Sequence, residues 1–155
     1  MTTAQKTWSS GDVVSAADLN TYARGGQEMG YAEITASSAA FTTEADVASL
    51  TVTWTAISTR VYKLIFDGNV VSTVAGDLIG IYITDSANAH VAEGYSGATG
   101  TNLAQCNRFE KRITGLTGSV TYKVRAQRVA GTGTSTINAA AGRPAFFQVL
   151  DVGAN

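Results

Sequence analysis

Side chains able to do chemistry are few in this chain and widely spaced. His90 is the single histidine, and a metal site needs three or four ligands, so it reads as a surface or strand-edge residue. Asp77, Asp85 and Glu93 are the carboxylates available for acid–base work. Each falls at a turn or strand end, where an acid bonds its own backbone, and no matched base or nucleophile accompanies them. Cys106 is the one cysteine, which excludes an internal disulfide and any multi-cysteine metal site. It reads as a small buried side chain or a surface thiol. Gly131-Thr132-Gly133 has the composition of a phosphate cradle, but no helix follows it, and the cradle needs one. Lys111-Arg112, and Arg125 with Arg128, are modest basic spots on solvated strand faces. These residues point to a protein that is not an enzyme and takes no metal or cofactor.

The wider composition agrees. The 155 residues carry 11 Lys and Arg against 12 Asp and Glu, a net charge of −1, with no block of like charge. Nucleic-acid binders show a basic stripe and polybasic membrane anchors a basic cluster. With neither present, no nucleic acid and no membrane is expected as a partner. Charged residues make up 15% and hydrophobic ones 45%, with 16 Gly and 1 Pro. Soluble domains typically carry about 25% charge, so this is a weakly charged, turn-rich chain whose surface suits cover in an assembly. No secretory leader is visible at the start, and no run nears the roughly 18 apolar residues of a membrane span. A soluble protein made in the cytoplasm is the expectation.

The elements that position these residues divide at Gly26. Before it, Trp8 is followed by a turn, Ser9-Ser10-Gly11-Asp12, and then by Ser15-Ala16-Ala17-Asp18, a helix-capping pattern. Leu19, Tyr22 and Ala23 share one helical face, and Gly25-Gly26 ends it. Two turns of helix are unstable alone in water, so Trp8, Val13, Val14 and Leu19 must dock on another surface. The spacing therefore predicts an extended arm with one short helix over 1–26, ahead of a β domain over 27–155. Beyond residue 30 the period becomes two, with strands predicted over 31–35, 47–55, 61–74, 78–84, 90–95, 108–114, 119–128, 135–139 and 144–152. In 47–55, Leu50, Val52 and Trp54 alternate with Thr51, Thr53 and Thr55, the mark of a half-buried strand. In 61–74, Asp67-Gly68-Asn69 is either a hairpin turn or a bulge; a second turn signal at Ala75-Gly76-Asp77 favours the bulge. Stretch 78–84 is apolar on both faces and so central. Phe146 and Phe147 are adjacent and point to opposite faces. Strands and turns at this spacing predict an all-β sandwich or barrel.

The run Trp8-x-x-Gly11-x-x-Val14-x-Ala16-x-x-Leu19-Asn20 resembles the N-terminal signature of many tailed-bacteriophage virion proteins. In these, a Trp, a Gly, a small residue and a terminal Leu-Asn precede a variable β domain. Gly30-Tyr31-Ala32-Glu33, Leu50-Thr51-Val52-Thr53, Ser72-Thr73-Val74-Ala75-Gly76-Asp77, Thr121-Tyr122-Lys123-Val124-Arg125-Ala126 and Arg143-Pro144-Ala145-Phe146 extend the similarity to small actinobacteriophage-like structural proteins over most of the chain.

The resemblance implies a jelly-roll or tumour-necrosis-factor-like β-sandwich, assembled as a homotrimer on the virion. It implies a capsid decoration (minor capsid) protein on the capsid surface, made in the host bacterial cytoplasm. The arm residues Trp8, Gly11, Val13, Val14, Leu19, Asn20 and Tyr22 would then anchor it to the major capsid protein lattice. Phe146, Phe147, Val149 and Leu150 would serve the core and the trimer interface together, although a doubly covered central strand in a monomer reads the same way. Because the signature also occurs on tails, the alternative is a minor tail or tail-fibre protein. Its partners would be tail proteins or a host surface glycan, with Tyr95, Asn102 and Asn107 as the exposed cluster. Trp8 and Leu19 folding back onto their own trimer is the alternative to anchoring.

Overall fold

The structure, a computed structural model, describes residues 9–11, 13 and 26–154. The expected helix, and with it Trp8, Val14, Leu19, Asn20 and Tyr22, lies outside those residues. Nine strands follow: β1 (Gln27–Ile34), β2 (Ala45–Ala56), β3 (Arg60–Ser72), β4 (Leu78–Asp85), β5 (His90–Gly97), β6 (Gln105–Ile113), β7 (Gly118–Ala130), β8 (Ser135–Asn138) and β9 (Ala145–Ala154). They form two antiparallel sheets, ordered β1-β9-β3-β6 (with β8 also on β3) and β2-β7-β4-β5. The pairs β4–β5, β3–β6, β2–β7 and β1–β9 nest one inside the next. The chain is thus one long hairpin with its tip at the β4–β5 turn, rolled so that β9 also bonds β3 and β7 also bonds β4. That is the jelly roll, a double-sheet solution to the exposed-edge problem, and the expected all-β sandwich is what forms.

Alternation sets which side chains fill the space between the sheets. Leu50, Val52, Trp54 and Ala56 of β2 point inward, while Thr51, Thr53 and Thr55 stay exposed. On β7, Tyr122, Val124 and Ala126 are buried. Ile79, Ile81 and Ile83 of β4 are fully buried, and on its other face Thr84 is fully buried and Tyr82 nearly so, as its two apolar faces predicted. Each large side chain buried here contributes about 1.5–3 kcal/mol. β2 carries one irregularity that its sequence did not announce. Its register slips between Asp46 and Thr51, Ser49 takes a φ of 70°, and both Val47 and Leu50 are buried. A bulge of this kind sends two side chains three apart into the same core.

Asp67-Gly68-Asn69 is neither a hairpin turn nor a bulge. β3 runs through it in unbroken register with Arg108, Asn107 and Cys106 of β6. On the opposite edge of β3, β9 covers Arg60 to Asp67 and β8 covers Asn69 to Ser72. Asn138 faces Asn69 and Phe146 faces Asp67, so β8 and β9 lie end to end as one interrupted strand. The chain leaves the sheet over 139–144 and returns opposite Gly68. A Cβ at Gly68 would lie 2.8 Å from Ala145 Cβ and 2.9 Å from Phe66 Cζ. Glycine stands there for space rather than for a turn.

The end of the sandwich where the chain enters β1 is closed by a buried ion pair. Arg60, at the start of β3, is 2% exposed and Asp151, in β9, is 1% exposed. Arg60 Nε donates to Asp151 Oδ2 at 2.8 Å and Nη2 to Oδ1 at 2.8 Å, the two-pronged geometry that suits a guanidinium and a carboxylate. Gly153 N adds a bond to Oδ1 at 3.0 Å, and Gly26 N donates to the Asp151 carbonyl at 2.6 Å. Removing one partner of such a pair is far more damaging than its net worth, because the other charge stays out of water. Asp151→Ala is expected to lower the unfolding free energy by about 3–5 kcal/mol in urea titrations; a loss below about 1 kcal/mol would remove the pair from this role.

Candidate functional site

The residues expected to meet other subunits separate cleanly by face. Alternation along β9 turns Ala145, Phe147, Val149 and Asp151 inward and Phe146, Gln148 and Leu150 outward. Phe147 and Val149 are 0% exposed inside the chain's own core, so of the four residues expected to serve core and interface together these two fill the core. Phe146 and Leu150 remain on the outer surface. Three cross-strand rows pass through them: Glu33–Phe146–Asp67–Arg108, Tyr31–Gln148–Ile65–Glu110 and Glu28–Leu150–Lys63–Arg112. Phe146 stacks on Tyr31 with ring centroids 5.5 Å apart, and Tyr31 is 44% exposed. Tyr31, Phe146 and Leu150 therefore make a half-exposed apolar band over Ile65, which is itself buried. Polar links border it, with Gln148 donating to Glu28 at 2.6 Å, Lys63 to Glu110 at 3.1 Å and Arg108 to Asp67 at 2.6 Å. Partial burial, then the bond to Glu33 at 2.8 Å, pushes the Tyr31 hydroxyl up to about 12. An apolar centre with a charged rim is how a protein interface is built.

Of the arm residues, Gly11 takes a φ of 97° and Val13 is 88% exposed; the others lie outside the described residues.

The outer face of β2-β7-β4-β5 is different in kind, a charged network crossing all four strands. Asp46 accepts from Lys123 Nζ at 2.7 Å and Arg125 Nε at 2.8 Å, and Arg125 Nη1 also donates to Glu44. His90 Nε2 lies 3.1 Å from Glu44 Oε1 and its Nδ1 3.2 Å from Glu93 Oε1. Tyr95 donates to Glu93 Oε2 at 2.6 Å. The His90 ring lies on Tyr82, centroids 4.2 Å apart and nearly parallel. Sequence reading left His90 as a lone surface residue. Glu93 sits three residues away, on the opposite face of a regular strand, and only the register shift between Ala92 and His90 brings the two together; Glu44 arrives from the far edge of the sheet.

Other candidates are used locally. Asp77 and Asp85 stand at opposite ends of β4 and share no site. Asp85 Oδ1 accepts from the Ala87 and Ala89 amides at 2.8 and 2.9 Å, closing its own turn. Asn107 is buried and donates to Ser96, whose side chain lies on the strand face opposite Tyr95. Tyr95, Asn102 and Asn107 therefore do not form one cluster. Cys106 is exposed on β6. No group of three His, Cys, Asp or Glu among the described residues could hold a metal. The pocket between Ser38 and Ala48 encloses 80 Å³, against about 300–1,000 Å³ for a ligand pocket.

The Gly131-Thr132-Gly133 loop is an anion cradle after all, and the anion is the chain's own Asp77. Ser72 Oγ donates to Asp77 Oδ2 at 2.5 Å, and the Thr132 and Gly133 amides donate at 3.0 and 3.1 Å. A Cβ on Gly131, whose φ is 105°, would fall 1.8 Å from Asp77 Oδ1. Arg128 secures the same loop by donating to the Gly133 carbonyl. The Ser72 bond, opposed by burial and helped by the two amides, holds the Asp77 carboxyl below the usual range. A carboxylate with a depressed folded pKa contributes stability above its unfolded value, about 3.9, and loses it as pH falls through the folded one. Asp77→Asn is expected to be less stable than wild type at neutral pH and to lose less stability between about pH 4 and pH 2, followed by thermal unfolding. An unchanged acid limb would overturn the cradle's role.

No family model matches the chain, and no curated protein matches it. Among solved structures the chain is similar to infectious bursal disease virus. The Gx strain structure shows 15% identity and a TM-score of 0.37 over 81% of this chain and 37% of that one. A mutant VP2 in derived T=1 particles shows 16% identity and a TM-score of 0.34, with 81% and 37% covered. A VP2 subviral particle shows 20% identity and a TM-score of 0.30, again over 81% and 37%. The chain thus spans a little over a third of those chains. Similarity at this level carries no argument, and the sandwich rests on the chain's own strand order.

Proposed function

We propose that the protein is a virion structural protein: a trimeric capsid decoration (minor capsid) protein, held on the major capsid protein lattice by arm 1–26. The observation that carries this reading is the half-exposed Tyr31–Phe146–Leu150 band. The sandwich closes its own core with Phe147 and Val149, yet leaves this second apolar surface outside, rimmed by charge. Partly exposed apolar side chains gathered on one sheet face fit a subunit contact. Gly26 enters the sheet beside Asp151, so β1 begins at one end of the sandwich. Val13, apolar and exposed on the arm, fits the anchoring role. Contacts of this type contribute about 25 cal/mol per Å² of apolar surface buried, and three linked arms add avidity.

Light scattering on the purified chain should give a trimer. Phe146→Asp combined with Leu150→Asp should give a monomer with an unchanged β-sheet circular dichroism spectrum. A trimer surviving both changes would overturn the interface. Deleting 1–26 should leave the trimer intact and abolish co-sedimentation with capsids; retained binding would overturn the anchor. Copies per particle separate this reading from a tail location, since hundreds fit decoration and a handful fit a tail tip.

A further inference from the structure

His90 is the only histidine in the chain, and both of its ring nitrogens face carboxylates. Nε2 meets Glu44, in the segment leading into β2, and Nδ1 meets Glu93 on β5 itself. β2 and β5 are the two edges of a four-stranded sheet, with β7 and β4 between them. The Glu44–His90 bond therefore spans the outer face from one edge to the other. Both nitrogens donate only when the imidazole is protonated; a neutral ring has one N–H and satisfies one carboxylate.

The charges around it agree. Glu44 and Glu93 bond His90 and Tyr82 on β4 stacks on it; Tyr95 bonds Glu93, Arg125 on β7 shares Glu44, and Arg125 and Lys123 both bond Asp46. Three carboxylates meet two permanent cations, and a protonated His90 supplies the third positive charge. The Tyr82 face beneath the ring also favours the cation.

We propose that His90 is a proton-operated latch that, when protonated, straps the 35–44 crossover to edge strand β5 and releases it as pH rises. Arg125 keeps its bond to Glu44 throughout, so the release is local and the sheet persists. Burial alone would lower the His90 pKa, but the bonds to Glu44 and Glu93 outweigh it and raise it above the ordinary value. A raised folded pKa gives stability that is complete below about 6.5, the unfolded value, and is lost as pH climbs through the folded one.

The test uses the full-length protein. NMR titration of the single imidazole should give a pKa above 6.5, and Glu44→Gln and Glu93→Gln should each bring it down. Amide exchange at 44–46 and 90–93, corrected for intrinsic rate, should quicken from pH 6 to pH 8.5. The gain should approach tenfold for each pKa unit between latched and open His90. His90→Gln should fold and show no such pH dependence. A wild-type pKa at or below 6.5, or the same exchange profile in His90→Gln, would overturn the latch.

Discussion

The sandwich depends on β3 having one position without a side chain. β3 is bonded by β6 along one edge and by β9 and then β8 along the other. Between those last two the backbone leaves the sheet and comes back, and Gly68 lies opposite the gap. A Cβ there would collide with Ala145 and with the Phe66 ring, in an interior packed as densely as an organic crystal. With the position empty, β8 and β9 align as one strand, β9 can reach β1, and the nested hairpin closes. The core residues Phe66, Val70, Phe147 and Ile137 meet only because that alignment holds.

Closing the core in this way leaves the two outer faces to do different things. The β1-β9-β3-β6 face carries an apolar band with a charged border. The β2-β7-β4-β5 face carries a network in which nearly every ionisable group has a partner on another strand. The first leaves apolar side chains partly exposed, while the second pairs its charges within the chain. Buried or half-buried charges are costly unless paired, and here Asp77, Asp151 and Glu44 each take bonds from distant segments. Every one of these links ties down a loop or a strand end, so polar chemistry holds the roll together where alternation of apolar side chains stops.

The alternating residues were readable in the chain. Leu50, Val52 and Trp54 against three threonines, the doubly apolar β4, and the opposed Phe146 and Phe147 each declared a strand and its faces, because a strand's side chains alternate whatever it pairs with. Asp85 declared its turn for a similarly local reason. Around Gly68 the chain reads as one long strand with a bulge; the long strand forms and the bulge does not, because nothing nearby in sequence names Ala145. Arg60 and Asp151 carry no local signal of their pairing, because they stand 91 residues apart. The acid that the Gly131 loop cradles stands 55 residues earlier in the Asp77–Thr132 bond.

Sequence by itself determined the class of the protein: all-β, turn-rich, weakly charged, with short strands whose inner and outer residues are marked by a period of two. Those properties depend on each residue and its near neighbours. Tertiary structure alone decided the nesting of the pairs, the alignment of β8 with β9, which of Phe146, Phe147, Val149 and Leu150 remain outside, and the meeting of His90 with Glu44. Each of these is a contact between residues far apart in the chain, and their distance apart in sequence carries no trace of it.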